Sequence, residues 1–544
     1  MNILISITIF LIFYMLGRSF VLMTYSYRNT KIDELFIFDT KITVFYPILG
    51  MFYLGNTLFI INFFSPLDNR ILVLLLFTPI LLNIKRKFLN LNLREIFTQL
   101  SVFLIINISI YTANFQYDAG FYHLNYQNWL RNEKIVFGLS NLHAPYGLSS
   151  ISDFIASIFW FDGNFILLHT LPIIFIASLG NFLFLHLSNK KNTFLYLSSL
   201  FLTIYIFLDN FGFNGGLNGF IQISGIIKPD QAFAVLFYLF SILFIVTLNK
   251  KEPNDNEIIF LASILLFSFQ FRVTSLFLFL PFFVFLIIRR SLFNKRLIIK
   301  FLLLIFLFLL WSLKSFILSS CFFFPVAISC MNTAWGNSRS AESFTGHTLS
   351  FNNSYSLGDN FFDWIQSWFN WSQNSTTLLN FIVSLIAILI FSNLFIRGAK
   401  NKIKNITLVF IIYVILVYLA IWIMGSPDIR FFYGGFIFTI SLLAIKKINH
   451  NVSSFNTYLT YSVYVLFFVS IALIPRVDSY RNFISNPLPF YELKVVDIDY
   501  IYDDSRWYFP STGDQCWINL DCVPSKIDVS ESRNNIGNLV FSKN

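Results

Sequence analysis

Long apolar stretches, broken by short clusters of Lys, Arg and Asn, set the pattern of this chain from its start to about residue 475. A helix needs about 20 apolar residues to cross a bilayer. Runs near that length stand at 3–24, 42–64, 69–84, 95–113, 163–187, 193–209, 230–248, 258–271, 274–289, 299–318, 378–396, 406–424, 430–445 and 457–475. The spacing predicts an all-α polytopic membrane protein with about fourteen transmembrane helices. The pair within 258–289 is short enough to form a helical hairpin that turns back before crossing. Strands of an outer-membrane barrel alternate over short segments, so this pattern excludes one. The first run has no basic leader and no small-residue cleavage site, and reads as a helix, not a signal peptide.

Composition narrows the class further. Of 544 residues, 56% are hydrophobic and 12% charged, against about 25% charged in soluble domains. Mean hydropathy is +0.67. A soluble enzyme, a coiled coil and a disordered chain are excluded.

The net charge of +10 matters through its placement. Of 38 Lys and Arg, 22 fall in one alternate set of connections, among them Lys85–Lys87, Lys190, Lys191, Lys250, Lys251, Arg289, Arg290 and Lys400–Lys404. The opposite set, without the tail, holds seven. Basic loops stay in the cytoplasm, so both termini and all long loops are predicted outside, in a bacterial inner membrane. The domains are then a membrane domain, 1–475, with outer loops at 114–162 and 319–377, and an extracytoplasmic tail, 476–544. Trp129, Trp160, Trp335, Trp364, Trp368 and Trp371 enrich the two loops and suit the headgroup layer. Charge dispersed in this way excludes nucleic acid as a partner.

The chain has four cysteines, all on the predicted outer side. Local pairing of Cys321 with Cys330 and Cys516 with Cys522 reads as two disulfides. A four-cysteine zinc site is the alternative, but C-x8-C and C-x5-C depart from the usual close spacing. No other metal site and no cofactor is expected.

Charged groups within or at the edge of membrane spans are expensive, about 2.5–3.5 kcal/mol each on insertion scales, and mark functional sites. Asp118 and His123 follow the fourth run in NFQYDAGFYHLNYQ, and Asn141 and His143 follow in GLSNLHAPYG. Lys228 and Asp230 open a run in IIKPDQ, Arg272 lies in FQFRVTS, and Asp428 and Arg430 lie in GSPDIRFF. In the predicted topology all of them reach the outer face. A carboxylate can take a proton from an attacking hydroxyl, and guanidinium groups bind phosphate oxygens in two-point fashion. The set therefore suits an acceptor hydroxyl displacing a lipid-linked phosphate from a sugar. Each residue also has a plainer reading: Asp118 as a helix N-cap, His143 as part of a turn, Arg430 as a partner for Asp428, Lys228 as an interfacial anchor.

These residues resemble a known plan. The many spans, the large first outer loop and an acidic residue soon after a membrane helix are similar to the GT-C superfamily of integral-membrane glycosyltransferases. The nearer resemblance is to an uncharacterised family of bacterial multi-pass proteins of GT-C type. It rests on D-x-G-x-Y-H at Asp118–His123 and G-L-x-N-L-H at Gly138–His143. Further matches are the C-x8-C loop of Cys321 and Cys330 ahead of Trp335-Gly336, P-D-x-R-F at Pro427–Phe431, and C-W-x4-C-x-P at Cys516–Pro524. The resemblance implies a polyprenyl-phosphate sugar donor and a glycan or glycolipid acceptor, both at the membrane lipid. It implies an inverting transfer with Asp118 as general base and His123 beside it. Arg430, Arg272 and Lys228 would hold the donor phosphate, and His143, Asn141 and Asp230 the sugar or acceptor. The paired acidic motif of some GT-C branches is missing, which argues against a metal. The rival functions are a polysaccharide polymerase or ligase using polyprenyl diphosphates, and a lipid-linked glycan flippase. Transporters favour midplane charges and repeated halves, and neither shows in the sequence.

Overall fold

A computed structural model describes residues 2–25, 35–68, 92–211, 223, 225–226, 229–289, 295–336, 338–349, 361–370, 372–395, 404–425, 428–447, 457–487, 492–495, 498–502, 507–525, 527 and 529–543. The chain is about 72% helical. Nine helices among the described residues are long and apolar enough to cross a membrane. A tenth forms if α17 (Thr457–Leu473) and α18 (Val477–Ser485), bent by 74°, make one span. Two shorter apolar helical stretches, Val273–Ile288 and Ile429–Ile445, match two further runs. The run at 69–84 lies outside the described residues.

The bundle is built in layers. α6 (Thr170–Ser188) and α8 (Pro229–Asn249) form its centre, with almost every side chain buried. α1 (Asn2–Thr24), α2 (Tyr46–Asn62), α3 (Leu93–Asn107), α7 (Thr193–Asn210) and α9 (Asp255–Phe271) pack around them. α10 (Phe279–Ile288), α11 (Lys295–Ser319), α14 (Ser372–Phe395) and α15 (Asn405–Gly425) lie at the periphery. These outer helices expose Ile287, Leu302, Phe306, Ile390, Val409 and Leu416, as a surface dissolved in lipid tails requires.

Two devices fix the bundle beneath the site. α1 and α2 cross backbone to backbone: a Cβ on Gly17 would lie 1.8 Å from the Tyr46 carbonyl oxygen, and one on Gly50 would lie 1.9 Å from that of Phe13. Small residues are the usual means of such an approach in membranes. α2 is tied to α9 by a buried amide pair, in which Asn56 donates to Gln270 at 3.1 Å and Gln270 returns a bond at 2.7 Å. α9 starts with a capping box of Asn254 and Glu257 and ends at Arg272.

At one end of the bundle the chain lies over the helices. It passes through α4 (Leu124–Asn132) and α5 (Ile151–Ser157), and later through the Cys321–Cys330 loop, α12 (Arg339–Leu349) and α13 (Phe361–Asn370). The tail from residue 476 is bound into this layer. Its hairpin of Val529–Arg533 and Leu539–Lys543 bridges to Phe137, and its Cys516–Cys522 loop packs on the turn at Gly120. The segment 114–162 and the tail therefore share one packed layer.

Candidate functional site

After α3 a tight 3-10 turn, Ile108–Thr112, carries the chain to the end of the bundle. There β1 (Asn114–Phe115) pairs in parallel with β2 (Gly225–Ile226), which anchors the first loop just ahead of α8. A π-helical turn, Ala119–His123, follows and runs into α4. Such turns concentrate at functional sites. Gly120 makes room for the tail: a Cβ there would meet the Trp517 ring at 2.8 Å, and the Trp517 N–H bonds the Gly120 carbonyl at 2.9 Å. Trp517 also meets Phe115 edge to face at 5.0 Å.

Asp118 precedes the π turn and makes no capping hydrogen bond. Its carboxylate instead lies 3.3 Å from the Arg430 guanidinium, 312 residues away in sequence. Arg430 also lies 3.0 Å from Asp428, whose carboxylate accepts the Arg430 backbone N–H at 2.9 Å. Arg272, at the C-terminal end of α9, is ion-paired with Asp230 in the first turn of α8. An acid there also complements the helix N-terminus. The Phe431 ring links the two pairs, with Arg272 4.1 Å and Arg430 4.9 Å from its centroid. Five charged residues from four separate segments thus meet at one rim. Their three carboxylates exceed their two guanidiniums by one charge. A guanidinium carries five N–H donors, so pairing with an aspartate leaves donors for a further anion.

His123 lies behind this rim. Its Nδ1 is 2.9 Å from Asp153, and no hydrogen-bond partner is found for its buried Nε2 among the described residues. Asp153 also accepts from Gln127 at 3.0 Å and completes the capping box of α5 with Ser150. Gln127 in turn accepts from the Trp160 indole at 2.9 Å. Burial alone would push the His123 imidazole down, but the charge and hydrogen bond of Asp153, with the charges of Asp118 and Asp230, carry it above its ordinary value. Tyr122, next to it, is pushed well above the ordinary phenol range by burial and by Asp118 and Asp153.

The remaining expected residues divide. His143 is half-buried and edge-on to Phe121 at 4.6 Å, and burial pushes it down to about 3. Asn141 spends its amide hydrogens on the carbonyls of Trp335 at 2.7 Å and Phe541 at 2.8 Å. It therefore clamps the loops 114–162 and 319–377 to the tail, with both amide hydrogens taken. Lys228 lies outside the described residues. The four cysteines stand as two bonded pairs, Cys321–Cys330 and Cys516–Cys522. Among the described residues no group of three His, Cys, Asp or Glu is placed to hold a metal.

Sequence reasoning missed three groups. Asp153 shows only as the third residue of a capping pattern. Lys314, buried near the end of α11, donates to Ser149 and stacks on Trp311 at 3.3 Å. Asp209, near the end of α7, is fully buried, with no hydrogen bond to either oxygen among the described residues. The rule that charge inside a span is functional was a signal for both of the last two.

The chain belongs to the family described as Domain of unknown function (DUF8201), whose profile matches residues 1–438. No curated protein and no solved structure matches it. It is a helical membrane protein of that family.

Proposed function

We propose that this protein is a GT-C-type glycosyltransferase that moves a sugar from a polyprenyl-phosphate donor to a cell-envelope acceptor at the outer face of a bacterial inner membrane. About fourteen spans, with both termini and the long loops outside, go with this reading. The observation that carries it is the joining of Asp118 to Arg430 at 3.3 Å, beside Arg272 and around one phenylalanine, at the rim of an apolar bundle.

In the reaction the acceptor oxygen bonds to the anomeric carbon as the bond from that carbon to the phosphate oxygen breaks. Asp118 takes the acceptor's proton. The leaving phosphate keeps the electron pair, and its charge grows where Arg430 and Arg272 can meet it. The configuration at the anomeric carbon inverts. No cofactor is assigned.

The test is in vitro transfer by the purified chain in nanodiscs, with polyprenyl monophosphate and diphosphate sugars compared and released lipid phosphate measured. Turnover with monophosphate donors is expected. Turnover with diphosphate donors alone would make it a polymerase or ligase, and donor movement across the bilayer without cleavage would make it a flippase. Mass analysis of surface glycans after gene deletion then names the sugar.

A further inference from the structure

We infer that His123, held by Asp153, is the second proton-handling group of this site, where the acceptor's proton rests after Asp118 has taken it. The inference rests on the transferase reading above and adds a positioning residue, Asp153.

The argument begins with Asp118. Its carboxylate lies 3.3 Å from Arg430 at the rim, where the acceptor and the leaving phosphate must also sit. An imidazole among carboxylates favours its charged form. His123 has Asp153 of α5 at 2.9 Å and also senses Asp118 and Asp230, the latter from α8. Other charged or titratable groups around the pair are Tyr122 beside the ring, Tyr126 of α4 and Lys314 of α11 near Asp153, and Arg272 and Arg430 at the rim. The π-helical winding, with bonds spanning five residues, keeps His123 within one turn of Asp118. Asp153 accepts the Nδ1 proton and so leaves the Nε2 lone pair free. That atom is buried and lacks a partner among the described residues.

The proton balance is simple. It leaves the acceptor hydroxyl for the Asp118 carboxylate and passes to Nε2, giving an imidazolium between Asp153 and the rim carboxylates. It departs to solvent with the products. A His123 already protonated at the start cannot take it, so low pH stops the reaction.

The experiment is the pH dependence of transfer by the full chain in nanodiscs, for the wild type, Asp153→Asn, Asp153→Glu and His123→Gln. The wild type is expected to lose activity on an acid limb. Asp153→Asn removes the charge that favours the imidazolium, so its limb moves to lower pH, and Asp153→Glu moves it back. His123→Gln removes this limb, so that at low pH only the need for an ionised base at Asp118 limits transfer, and it lowers the plateau by about 10²-fold. It keeps an amide for Asp153 and serves as the test should Asp153→Asn fail to fold. A merely structural Asp153 would change the yield of folded protein and leave the limb in place. Transfer with an unmoved limb in Asp153→Asn, or with the wild-type limb unchanged in His123→Gln, overturns this role alone. A wild-type chain that transfers no sugar from either donor overturns the transferase reading, and this role with it.

Discussion

Two acid–base pairs flank one π turn in opposite surroundings. Asp118 and Arg430 stand at the rim with 30% and 22% of their side chains exposed, while His123 and Asp153 behind them are 2% and 1% exposed. A pair open to water contributes about 0–1 kcal/mol to folding. Breaking a buried pair costs about 3–5 kcal/mol, because the survivor is stranded. The rim pair is therefore the lesser contributor to folding and reachable by substrate, and the buried pair is the reverse. Substitutions that separate loss of function from loss of stability can break or sharpen this contrast.

The largest effect is expected at Asp118. Asp118→Asn should insert and melt like the wild type but lose transfer by about 10²–10⁴-fold, and a variant with normal turnover would remove the mechanism. Asp153→Ala should act mainly on stability, by about 3–5 kcal/mol, read as a lower Tm in detergent. This cost depends on pH. The folded His123 titrates above its unfolded value of about 6.5, so the pair contributes fully below that pH. The contribution fades as the pH rises through the folded value. The Tm gap between wild type and Asp153→Ala should thus narrow from pH 6 to pH 9, and a constant gap would deny His123 its charge. Arg430→Ala comes next, with transfer reduced by about 10²–10³-fold and some loss of Tm, because the largely buried Asp428 loses its partner. Arg430→Lys should recover only part of this, because a point charge lacks the fork of a guanidinium.

Smaller effects are expected in the covering layer. Replacing Cys516 and Cys522 by Ser opens a short loop, worth about 2 kcal/mol in the chain-entropy view. It should also loosen Trp517 from Gly120, so activity should fall with temperature sooner than in the wild type. His143→Gln is the smallest. With His143 held down to about 3, its loss should leave the acid limb of the pH profile where it was.

Legibility in the sequence followed the range of each interaction. The run at 193–209 became α7, Thr193–Asn210, and that at 230–248 became α8, Pro229–Asn249, because apolar length is a local property. The cysteine pairs were equally local. The rim was half legible. Asp118, Asp230, Arg272 and Arg430 could each be picked out as charge at the end of a run, yet nothing in the sequence joined Asp118 to Arg430 rather than to Arg272. Asn141 shows the same limit: nothing in the sequence tied its amide to Trp335 and Phe541, about 200 or more residues away.

Membrane character, the helical class, the ends of most helices and the residue types available for chemistry follow from composition and periodicity, since a bilayer demands about 20 apolar residues wherever it is crossed. Which charges pair, which histidine is fixed and which is shielded, and how the tail closes over the first loop follow from packing alone. Those contacts join segments separated by 30 to 400 residues, and burial there depends on what the rest of the chain places around them.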